Sequence, residues 1–133
     1  MHWSDAHAPS LDHIERLARA SFEELPAKFR ALVDDIAFVV EDFPDEETMK
    51  NLALDSGFEL LGLFHGTELA ARRANRGRAE PTVILLYRRP ILDYWAEHKE
   101  SLRAIVRHVL IHEIGHHFGL SDDAMEAIEA GED

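Results

Sequence analysis

The sequence predicts an α+β fold, with helices at the N-terminus, a small sheet of three to four strands and one long helix near the C-terminus. Three observations carry this reading. An apolar stripe with helical spacing starts at Ser10; the short apolar runs 36–40, 60–65 and 82–87 have the length and composition of strands; and a helical pattern extends from about Trp95 to Phe118. Helices, then strands, then a helix implies segregated layers, not alternating βαβ units.

Residues 1–9 are polar and end in proline, so a loose tail is expected there. Ser10 is a helix cap, Asp12 falls in the first turn, and Leu11, Ile14, Leu17, Ala18, Phe22 and Leu25 share one face. Pro26 suits the first turn of a second, short helix carrying Phe29, Leu32 and Val33. The run IAFVV at 36–40 is nearly all apolar between acidic flanks, which predicts a strand buried on both faces. Acidic residues 44–56 suggest a loop with a short helix. LLGLFH at 60–65 and TVILLY at 82–87 are the second and third strands, joined by an Arg-rich loop containing Arg72, Arg73, Arg76 and Arg78. On the long helix, Leu102, Ile105, Val106 and Val109 form one apolar stripe. Ile111, Ile114 and Phe118 form another on the far side, so neighbours are expected to cover both.

A chain of 133 residues fits a single domain, 1–133, with no repeat and no internal boundary. The formal charge is 14 − 26 = −12 with histidine neutral, so nucleic acid and anionic membrane are disfavoured as partners. The Arg72–Arg78 cluster is the local exception, read first as a solvated loop and second as a contact for an acidic partner. With no cysteine, thiol chemistry and Cys-based zinc sites are excluded. The start MHWSDAHAPS lacks the basic and apolar regions of a secretion signal, and no apolar run reaches membrane-spanning length, so a cytoplasmic location is expected.

The chemistry sits in His112-Glu113-Ile114-Gly115-His116. Two histidines at i and i+4 project from one helical face, so both rings can reach a single ion. Glu113 lies about 100° round from His112, close enough to hold a water on the ion without ligating it. Nine histidines in the chain make the pentapeptide only a moderate signal by itself. The continuation His117-Phe118-Gly119-Leu120-Ser121-Asp122 strengthens it. Gly119 can take positive φ and turn the chain back, and Asp122 can then serve as a third, anionic ligand. Three protein ligands leave a position for water, which marks a catalytic rather than a structural zinc site.

The pattern His112-Glu113-x-x-His116-x-x-Gly119-x-x-Asp122 resembles the HExxHxxGxxD motif of the Asp-zincin metallopeptidases, and the chain is similar in size and element order to the very small bacterial mini-zincins. The resemblance implies a zincin-like fold with a C-terminal active-site helix. It also implies a zinc ion held by His112, His116 and Asp122, with Glu113 as general base, and a sheet edge able to hold a peptide in extended form. The expected activity is hydrolysis of peptide bonds in a peptide or protein substrate through a zinc-activated water. Tyr87, Tyr94, His98 and His108 are candidate donors to the oxyanion. The sequence departs from metzincins in one respect, since Met125 stands too near Asp122 for the usual Met-turn.

Plainer readings remain at several positions. His112 and His116 on a surface helix, and Glu113 as a solvated charge, need no metal. Asp123 with Glu126 forms a possible capping box for a final helix over 124–130, in which Asp122 would belong only to the turn. His117 is expected to pack rather than ligate, and His108 to be solvated. The competing function is a zinc-binding but catalytically weak protein acting as a peptide- or protein-binding module. A structural protein that binds no metal tightly comes third.

Overall fold

The computed structural model describes residues 3–33, 35–65 and 82–131. Ser10 caps helix α1 (Leu11–Glu23) by accepting from the His13 backbone N–H, and the His13 ring accepts from the Ser10 N–H in return. This reciprocal pair leaves both donors satisfied at the helix start. Pro26 stands at the cap of the short helix α2 (Ala27–Arg30), just outside the first turn where it was expected. The predicted tail is tied down at one point, where the Arg88 Nε donates to the Pro9 carbonyl at 2.6 Å.

Strand β1 (Ile36–Glu41) leads to helix α3 (Glu46–Asn51), capped by Asp45, and strands β2 (Gly62–His65) and β3 (Thr82–Tyr87) follow. Their order in the sheet is β1-β3-β2. β3 is parallel to β1, with Ile36 opposite Thr82, and antiparallel to β2, with Gly62 opposite Leu86. Phe38, Ile84 and Leu86 alternate onto one face and are buried there with Ile14, Ala18 and Phe22 of α1. The sheet therefore has one covered face. Val39 on the other side is 38% exposed, which corrects the expectation that β1 is buried on both faces. A strand packed by a helix layer on one side alone needs apolar residues only at every second position.

The helical pattern from Trp95 to Phe118 is two helices. Helix α4 (Arg88–Glu97) follows β3 directly, and helix α5 (Leu102–His117) begins after a break at 98–101. Pro90 is tolerated in the first turn of α4, where a backbone N–H has no helical partner to lose. Ser101 then caps α5 by accepting from the Ala104 N–H, which fixes the new start. α5 is buried at Ile105, Val106, Val109, Leu110, Ile111 and Ile114, covered by α1, by β2 and by the final helix α6 (Asp122–Glu129). β2 comes so close to α5 that a Cβ on Gly62 would lie 2.6 Å from a Val109 methyl carbon. No helix among the described residues is long and apolar enough to cross a membrane. The Arg72–Arg78 segment lies outside the described residues.

Candidate metal centre

α5 carries His108, His112 and His116 at successive four-residue steps, and these rings form one column along the helix. His108 and His112 stack with ring centroids 4.0 Å apart; His112 and His116 meet edge to face at 5.7 Å. At the end of α5, Gly119 takes φ +74°. Its N–H bonds the His116 carbonyl at 3.1 Å, and the Leu120 N–H bonds the Gly115 carbonyl at 2.9 Å. This pair of crossed bonds satisfies carbonyls that the helix end would otherwise leave open, and a left-handed residue makes it possible. The bend expected at Gly119 is thus present. Ser121 caps α6 by accepting from the Ala124 N–H, so the last helix starts at Asp122 rather than 124. Asp122 occupies its first turn and is exposed, as is His116.

α6 folds back along α5. Met125 is fully buried, and a Cβ on Gly115 would come within 2.5 Å of its sulfur. At the far end, Arg107 donates from its two terminal nitrogens to the carbonyls of Ile128 (2.8 Å) and Glu129 (2.7 Å). A cation on the last open carbonyls of a helix is favoured by hydrogen bonding and by the helix dipole. It also anchors the end of α6 that carries Glu129. One Glu129 oxygen, Oε1, lies 2.5 Å from His108 Nδ1 and 2.7 Å from His112 Nε2. Both contacts are at ion-pair distance, yet this oxygen is shut from solvent and takes part in no hydrogen bond. Among the described residues, His108, His112 and Glu129 are the three whose ligand atoms lie within 4.8 Å of one another. His116 and Asp122 are not in that group.

His108, His112 and Glu113 line a cleft of about 300 Å³ whose opposite wall is Leu60, Leu61 and Gly62 at the start of β2. Glu59, Tyr94 and Glu100 complete much of its rim. Burial raises the pKa of Glu113 above the usual carboxylate range, and the nearby His116 partly offsets this. Tyr87, the last residue of β3, is buried and its pKa rises to about 12, chiefly from burial and then from the charges of Glu41 and Asp45. Of the four candidate oxyanion donors, Tyr94 and His108 line the cleft; Tyr87 and His98 are not among the lining residues. His98 instead stacks on Tyr94 at 3.7 Å. His117 packs against Phe64 with ring centroids 4.3 Å apart.

Two imidazole nitrogens and a carboxylate oxygen converging on a shielded spot are a donor set that suits zinc. Glu129 was not among the predicted site residues. The available signal was its position seven residues after Asp122, which brings the two to the same side of α6 within about 20° of rotation. The sequence model of zincin-like metallopeptidases matches residues 33–132, a span that contains both the cleft and the HExxH segment. No curated protein matches the chain.

Proposed function

This chain belongs to the zincin-like metallopeptidase family, and on that premise we propose that it is a zinc-dependent peptidase with Glu113 as its general base. One observation carries the proposal. His112 and Glu113 are neighbours in the wall of the same cleft, facing the start of an edge strand.

The ion, held by His112, His116 and Asp122, would supply a Lewis acid that activates water and polarises the substrate carbonyl. The antiparallel course of α6 along α5 supports Asp122 in this set. Met125 meets Gly115, Glu129 meets His108 and His112, and Asp122 shares the Glu129 side of the helix about two turns nearer the Gly119 bend.

Glu113 accepts a proton from water at its carboxylate and returns it to the leaving amine. The raised pKa suits both steps, because a carboxylate that binds its proton more tightly is a better base. Tyr94 donates its hydroxyl proton to the carbonyl oxygen as negative charge develops there. The peptide lies extended along Leu60–Leu63, adding a strand to the β2 edge, with apolar side chains against Ile105 and Val109.

The test is metal content and peptide-library hydrolysis for the wild type and Glu113→Gln. The expected result is equal zinc in both and turnover in the wild type alone. Cleavage by both would remove Glu113 as base. Zinc in both with turnover in neither would leave the protein as a zinc-containing binding module.

A further inference from the structure

We propose that His108, His112 and Glu129 form a second site for a zinc-like divalent cation, overlapping the HExxH set through His112. This goes beyond the peptidase reading and stands whether or not the protein cleaves peptides.

The first argument is convergence. His108 Nδ1 and His112 Nε2 approach the same Glu129 oxygen at 2.5 and 2.7 Å. That oxygen is buried and makes no hydrogen bond, so only ion-pair contact with the two imidazoles offsets its lost hydration. A cation at the centre of the three atoms would satisfy it. Ligand bonds of about 2.1 Å at tetrahedral angles separate ligand atoms by roughly 3.4 Å, so the two short separations to Glu129 need open by less than about 1 Å to accept zinc.

The second argument is support from outside the group. The carboxylate arrives from a helix whose end is anchored by two Arg107 hydrogen bonds to the carbonyls of Ile128 and Glu129. Buried Met125 against Gly115 holds the middle of that helix. Ligands carried on packed helices are held in place before the ion arrives, which lowers the cost of binding it.

The two sets are mutually exclusive, because a single ring nitrogen coordinates one ion and Nε2 of His112 faces Glu129. Imidazole and carboxylate donors favour zinc or cobalt(II) over magnesium or calcium.

The experiment is a cobalt(II) titration of the full chain, followed by visible absorbance, with zinc displacement as the control. In the double variant His116→Ala/Asp122→Asn, two ligands of the HExxH set are gone. Both positions are exposed, so the fold should persist, and circular dichroism checks that it does. The double variant should still bind one cobalt ion per chain. Adding Glu129→Gln, or separately His108→Asn, should then weaken binding at least tenfold. No cobalt binding by the double variant would overturn the proposal. So would binding that is unchanged when Glu129→Gln and His108→Asn are added, since the ion would then sit elsewhere. Neither result bears on Glu113, which is judged by peptide turnover alone.

Discussion

A methyl group placed on Gly115 would lie 2.5 Å from the sulfur of Met125, so the bare backbone of α5 receives a side chain of α6 between Glu113 and His116. Met125 is fully buried at this contact. Too near Asp122 in sequence for a Met-turn of the usual kind, it nevertheless packs directly beneath the HExxH segment. Met125→Ala should destabilise the protein by about 2 to 5 kcal/mol through the lost burial and the cavity left behind. Denaturant unfolding measures this, and a loss under about 1 kcal/mol would mean that α6 collapses onto Gly115 to fill the space.

Gly119 stands at φ +74°, with open space where a Cβ would lie. Gly119→Ala should therefore cost about 1 to 2 kcal/mol from backbone conformation alone. Gly119→Asn should cost less, because asparagine tolerates the left-handed region. Equal losses for the two would point to a steric origin, which the surroundings do not provide.

Tyr87 supplies a test at alkaline pH. Its pKa is raised by burial from 10.0 to about 12 in the folded chain. The folded state thus holds the proton more tightly, and the contribution is fully present below pH 10.0. Stability should fall as pH rises from 10.0 through about 12, where the unfolded chain ionises first. Tyr87→Phe should flatten this decline in thermal unfolding measured across that range. The same slope in both proteins would place the titrating group elsewhere.

Glu59 and Glu100 stand in the lining of the cleft beside Glu113, in a chain of charge −12. Peptides with lysine or arginine near the scissile bond should be cleaved faster than their glutamate counterparts. Glu100→Gln should narrow that preference mainly through KM, and added salt should narrow it too. A preference untouched by both changes would show that recognition there is apolar.

The HExxH pair was legible because it is local. His112, Glu113 and His116 sit within two turns of one helix, and helix geometry alone brings them to neighbouring directions. The Gly119 bend was equally legible, since a glycine six residues after Glu113 at a helix end has few other uses. Strands β1, β2 and β3 were readable from apolar runs bounded by polar ones. The break at 98–101 was hidden because the apolar stripes continue past it, and only the Ser101 cap marks the new helix.

What the residue order determined on its own was the chemistry available: two imidazoles and a carboxylate on one helix, and a bend that returns an acidic helix toward them. Which carboxylate actually comes to His112 was decided by tertiary structure. Glu129 reaches His108 and His112 across 21 and 17 positions of chain because Met125 seats in the gap at Gly115 and Arg107 anchors the end of α6. The cleft wall is likewise set by tertiary packing, since the bare Gly62 lets β2 approach Val109. Such meetings depend on the packing of distant surfaces, and no spacing within a single element encodes them.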